Sequence, residues 1–102
     1  MDGMKASDGG VPLRVELYGI ARLRTGRDAV VLCLPAGATL GDAIAQLADL
    51  LPELVGPVFA ADRRSLAAGS IASLDGREFT RDPASSLPAG KPLLLMPASA
   101  GG

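Results

Sequence analysis

Large apolar residues recur at every second position as Leu13, Val15 and Leu17, with Arg14, Glu16 and Tyr18 on the alternate positions. A period of two predicts a half-buried strand over Pro12 to Tyr18. Val30, Leu32 and Leu34 repeat the pattern over Ala29 to Leu34, with Val31 and Cys33 on the second face and Pro35-Ala36-Gly37 to stop the strand. Between them, Gly19 to Gly26 carries Arg22 and Arg24, with Arg27 just beyond, and reads as a solvated loop or short turn. The two strands are expected to form an antiparallel hairpin with a longer loop than the common two-residue type. The period then changes. Leu40, Ile44, Leu47 and Leu51 stand four, three and four residues apart and draw one stripe of a helix, with Asp42, Gln46 and Asp49 on its wet face. Thr39 is placed to cap that helix, Asp42 to reach back to it, and Pro52 to end it. Burying the stripe supplies about 1.5–3 kcal/mol per residue, so it is read as core and given no chemistry.

From Glu53 to Gly69 the periodicity fades, and the segment is expected to be a short helical turn or irregular loop with a solvated Asp62-Arg63-Arg64. Ser70 to Leu74 and Arg77 to Thr80, joined by Asp75-Gly76, predict a small hairpin. After a loop over Asp82 to Gly90, Pro92 to Met96 forms a last strand whose run Leu93-Leu94-Leu95-Met96 is apolar on both faces. The first and last strands are the most apolar candidates for the sheet centre. The helix between them offers the crossover that parallel pairing requires. One substantial helix covers one face of such a sheet. Val31, Cys33 and two of the residues Leu93, Leu94, Leu95 and Met96, followed by Pro97, are therefore expected to form an apolar strip that a partner covers. The competing expectation is that Glu53 to Gly69 folds over the strip.

Pro97 lacks the N–H of a central ladder position and is expected to end the last strand. Ala98-Ser99-Ala100 then reads as a thin, flexible tether and Gly101-Gly102 as an unhindered carboxylate able to enter a narrow slot. The expected organisation is a disordered lead-in over 1–11, a folded domain over 12–97 and a tail over 98–102. With 10 basic and 11 acidic residues, net charge implies neither nucleic acid nor an acidic membrane. The chain has no His and one Cys, which excludes a zinc site, a Cys–His nucleophile pair, a Ser–His–Asp triad and any disulfide within one copy. Cys33, in mid-strand, is read as a packed or interface thiol. Arg63 and Arg64 are either solvated or opposed to an acidic partner. Neither a secretory signal nor a membrane-spanning run is present, so a cytoplasmic location is expected.

Four stretches carry a family resemblance. They are Val15 to Gly26, with Tyr18-Gly19 and Arg22-Leu23-Arg24; Gly37 to Ile44, with Ala38-Thr39-Leu40; Leu87 to Leu93, with Leu87-Pro88-Ala89-Gly90; and Met96 to Gly102, with Met96-Pro97 and the final glycine pair. In this order they resemble the MoaD/ThiS family of ubiquitin-like sulfur carriers, and most of all the small subunit of molybdopterin synthase. The resemblance implies an α+β β-grasp fold, a mixed sheet of four to five strands with one main helix on one face and a flexible Gly-Gly tail. It also implies a carrier rather than an enzyme. An E1-like adenylating partner would use ATP and Mg²⁺ to activate the carboxylate of Gly102, presented by Gly101. A persulfide donor protein would then convert it to a thiocarboxylate for molybdopterin synthesis, with the large synthase subunit as a further partner. No cofactor bound to the chain itself is implied. Gly90-Lys91 and Pro97-Ala98 depart from the family's usual Gly-Asp and Pro-Pro. A carrier for thiamin, cysteine or another sulfur metabolite, a ubiquitin-like protein modifier and a β-grasp interaction module stay open beside the first reading.

Overall fold

The computed structural model describes residues 10–74, 78–88 and 90–98. Strand β1, Gly10–Leu17, pairs antiparallel with β2, Ala29–Pro35, in a register that sets Leu13 opposite Leu32 and Val15 opposite Val30. The period-two residues of both strands thus fall on one face, and all of them are buried. β1 begins two residues before the sequence pattern suggests. Gly10 and Val11, assigned above to the lead-in, pair with Pro35 and Leu34. Residues 1–9 lie outside the described residues.

The expected turn after β1 is a short helix, α1, Ile20–Thr25. Gly26 ends it in the left-handed region at φ 70°, its N–H donating to the Arg22 carbonyl at 2.8 Å. Ala21 is its one buried residue, so no apolar stripe announces it in the sequence. Helix α2, Leu40–Leu50, follows β2. Thr39 Oγ1 accepts from the Asp42 N–H at 3.3 Å and Asp42 Oδ2 accepts from the Thr39 N–H at 2.9 Å, which completes the reciprocal cap the sequence suggests. Two further donors of the first turn, the N–H groups of Leu40 and Gly41, reach the carbonyls of Ser85 and Pro83. A 3₁₀ turn over Pro52–Leu54 closes the helix at its other end.

Strands β3, Ser70–Leu74, and β4, Glu78–Thr80, form the small antiparallel hairpin, and β5, Leu93–Pro97, enters between β3 and β1. The sheet order is β2-β1-β5-β3-β4. β5 lies at the centre, parallel to β1 and antiparallel to β3, as the crossover argument requires. Pro97 is still within β5, opposite Ser70. Among the described residues, no helix is long and apolar enough to cross a membrane.

Residues 53–69 decide which face of the sheet stays open. Leu54, Val58, Phe59 and Leu66 are buried in the same core as Leu40, Ile44 and Leu47 of α2. Asp62 holds the loop tip by accepting from the N–H groups of Arg64 and Ser65. Arg63 and Arg64 then reach Asp49 and Asp42 of α2 at 2.7 and 3.0 Å. The segment packs on the helix side and does not cover the other face.

Candidate functional site

The base of the carboxyl-terminal tail is built by the centre of the sheet. The Tyr18 N–H donates to the Leu95 carbonyl at 3.0 Å, and the Ala98 N–H donates to the Gly69 carbonyl at 2.7 Å. Gly19, at φ 62°, closes against the end of β5: a Cβ there would stand 2.6 Å from Pro97 Cγ, so the approach excludes a side chain. The chain is therefore tied down through Ala98, one residue later than a tether over 98–102 implies. Ser99, Ala100, Gly101 and Gly102 lie outside the described residues.

Strand register sorts the candidate interface residues. Leu93 and Leu95 are paired with Val15 and Leu17 on the helix side, and Leu95 is only 1 % exposed. They belong to the core, which corrects their assignment to the interface: an unbroken apolar run conceals the alternation of its own side chains. Leu94 and Met96 are half-buried on the open face, opposite Ser73 and Ile71 of β3, and Phe79 of β4 lies beyond Ser73. Leu94, Met96, Ile71 and Phe79 thus share one apolar patch, with Phe79 58 % exposed. The Ser73 hydroxyl is buried under this patch without a hydrogen-bond partner among the described residues.

Val31, 63 % exposed, and Cys33, also exposed, face the same way from β2. They do not join the patch, because β1 stands between β2 and β5 and carries a polar row. Tyr18 Oη donates to Glu16 Oε1 at 2.6 Å and Arg14 Nε donates to Glu16 Oε2 at 3.2 Å. These two bonds, the tyrosine's first, hold the Glu16 carboxyl below its usual range, and the same bond raises the Tyr18 phenol. The expected single strip is thus two apolar regions separated by an Arg-Glu-Tyr row. Ile71 and Phe79 were missed from sequence because their face depends on how β3 and β4 register against β5. Their odd-numbered positions on either side of the Asp75-Gly76 pair are the sequence signal that could have found them.

Arg22, expected to be solvated, pairs with Asp28 at 2.9 Å on the surface. An apolar cleft of about 200 Å³ lies between Val11–Leu13, Leu34–Ala38 and Ser86–Pro88, at the opposite end of β1 from the tail. Among the described residues no group of three or more His, Cys, Asp or Glu side chains is placed to hold a metal.

No protein-family model and no curated protein matches this sequence. Solved structures do match. SAMP1 from Haloferax volcanii is 26 % identical with a TM-score of 0.73, over 89 % of this chain and 99 % of that one. A putative molybdopterin converting factor, subunit 1, from Pyrococcus furiosus is 20 % identical with a TM-score of 0.65, over 87 % and 99 %. The small archaeal modifier protein 1 from Methanosarcina acetivorans is 19 % identical with a TM-score of 0.61, over 91 % and 98 %. The five-stranded mixed sheet with one main helix is the ubiquitin-like, MoaD/ThiS-like β-grasp fold that these proteins share with this chain.

Proposed function

We propose that this chain is a ubiquitin-like sulfur carrier, with the carboxylate of Gly102 as the reacting group. The observation that carries the reading is the placement of β5. The central strand, bonded on both sides and seated against Gly19, brings the chain to Ala98, after which four small residues end on the glycine pair. A carboxylate is a poor electrophile until activated. An E1-like partner holding ATP and Mg²⁺ would form the acyl-adenylate with loss of pyrophosphate. A persulfide sulfur from a donor protein would displace AMP, and a thiol would reduce the resulting acyl disulfide to the thiocarboxylate. This chain is the substrate in these steps, and its patch of Leu94, Met96, Ile71 and Phe79 is the docking face. The likeness to a molybdopterin converting factor subunit favours molybdopterin synthesis as the receiving pathway, with the synthase large subunit as acceptor.

A second reading, protein modification through an isopeptide bond to lysine, is favoured by the likeness to SAMP1. Both readings need the same activated terminus and differ in the nucleophile that follows. The test is ATP–pyrophosphate exchange with a candidate activating enzyme. Exchange that depends on the full chain and vanishes on deletion of Gly102 supports the proposal; exchange indifferent to the deletion ends it. Addition of a persulfide donor then separates the readings, since a carrier accumulates thiocarboxylate and a modifier accumulates lysine conjugates.

A further inference from the structure

Every cation among the described residues is an arginine except Lys91. The tail end of the sheet carries the first kind. Arg81 Nη1 donates to the Ser70 carbonyl at 2.6 Å, and Ser70 lies opposite Pro97 on the neighbouring strand. Arg22 and Arg24 stand on α1, which begins beside Gly19, the residue seated against Pro97. At about 1.5 Å per residue, α1 runs only about 9 Å from that contact. Lys91 precedes β5, at the end of the strand away from the tail. Ser99 to Gly102 add an extended reach of about 14 Å beyond Ala98. Arg81 and α1 flank the root of the tail and fall within that reach. Lys91 lies about 20 Å back along the strand. Reversing the chain toward it takes a turn of about four residues, which is all that follows Ala98.

We infer that Arg22, Arg24 and Arg81 decide where the activated carboxylate goes. They place positive charge around the tail and offer it no acceptor, so acyl transfer runs to a partner and not to the chain itself. The inference rests on the reading of Gly102 as the activated residue. A neutral lysine amine is an acyl acceptor. Its lone pair would attack the Gly102 carbonyl carbon and form a C–N amide bond. The acyl–phosphate C–O bond would break, AMP would leave with the electron pair, and the amine proton would pass to solvent. A guanidinium stays protonated, with its electrons delocalised over the planar group, and makes no such attack. Proximity makes the difference matter. A group tethered within reach acts at an effective concentration of about millimolar. A lysine at any of the three positions would therefore compete with the persulfide and close the chain into a lactam. Charge alone does not call for arginine here, since lysine carries the same charge.

The test supplies the activation chemically and needs no activating enzyme. The full chain is prepared as a carboxyl-terminal thioester, with its α-amine acetylated and Lys5→Arg in place, which leaves Lys91 as its one free amine. With hydrosulfide at mildly alkaline pH it should go to the thiocarboxylate as the thiol leaves, and more slowly by hydrolysis to the carboxylate. In the same background, Arg81→Lys and Arg24→Lys should each divert thioester to a lactam, lighter than the hydrolysed chain by one water. The lactam should reach about tenfold or more its level in the unsubstituted chain, and fragmentation should place the amide on residue 81 or 24. Arg81→Gln, which removes the charge and adds no amine, should give none. Arg24 is exposed, so its variant keeps the test valid should the change at Arg81 disturb the fold. A lactam on Lys91 in the unsubstituted chain at the level of the variants would overturn the inference. So would the absence of lactam from the folded lysine variants. Neither result bears on Gly102 as the reacting group of a carrier, which stands or falls on exchange with an activating enzyme.

Discussion

Leu95 and Leu94 are chain neighbours of one residue type, and they stand on opposite faces of the central strand. Leu95 is enclosed with Val15, Leu17 and α2, while Leu94 lies in a half-buried patch with Met96, Ile71 and Phe79. The helix face of the sheet is closed twice, by α2 and by the 53–69 segment clasped to α2 through Arg63–Asp49 and Arg64–Asp42. The open face is closed by nothing in the described chain, and apolar residues there stabilise little while remaining available to a partner. The difference teaches that one apolar run serves two ends: its inward members hold the strand that carries the tail, and its outward members are free for docking.

The largest test of that division is Leu95→Ala, which should destabilise the fold by about 2–5 kcal/mol through lost burial and a residual cavity. Chemical denaturation measures it, and a loss below about 1 kcal/mol would break the assignment of Leu95 to the core. Thr39→Ala tests the cover of the same face. Loss of the cap should cost about 1 kcal/mol, read in the same way, because the Asp42 N–H loses its side-chain acceptor.

Much of this contrast was legible in the sequence, but not all of it. The alternation in β1 and β2, the stripe of α2 and its reciprocal cap declare themselves because each is a local, periodic pattern. The run Leu93 to Met96 shows no alternation, so only pairing with β1 and β3 reveals which two residues turn inward. α1 was missed because a six-residue helix that buries Ala21 alone writes no stripe. The 53–69 segment was opaque for another reason. Its core residues Leu54, Val58, Phe59 and Leu66 are irregularly spaced, and its fastening to Asp42 and Asp49 joins residues distant in sequence. Of the candidate site, the open face could be read, whereas Ile71, Phe79 and the polar row that divides Val31 from Leu94 required the register, and the glycine pair lies outside the described residues.

Smaller effects sharpen the comparison from the open side. Phe79→Asp should change stability by about 1 kcal/mol or less, since it loses mainly a cross-strand contact on an exposed edge. Association with an activating enzyme should nevertheless weaken clearly by titration calorimetry; unchanged affinity would remove the patch from the interface. Cys33→Ser should leave sulfur loading intact, because the sulfur enters from a donor protein; loss of loading in a mass assay would give that thiol a role denied to it here.

The smallest effect is one of pH. The Thr39 N–H, first, and Arg64, second, hold the Asp42 carboxyl below its ordinary value of 3.8. A carboxylate with a depressed folded value contributes stability that is fully present above the unfolded value and is lost as pH falls through the folded one. The stability difference between the native chain and Asp42→Asn should therefore be constant near neutrality and shrink below about pH 4. A difference that grows on acidification would contradict the direction assigned to Asp42.

The central claim rests on one carboxylate, and the mass of the native protein addresses it most directly. After incubation with an activating enzyme, ATP, Mg²⁺ and a persulfide donor, the intact chain should show one oxygen replaced by one sulfur, and fragmentation should place the change on Gly102. Deleting Gly102 or adding one bulky residue after it should abolish the change while the unfolding curve stays the same. A native protein whose sequence continues beyond Gly102, or sulfur found at Cys33 in place of the terminus, would contradict the account.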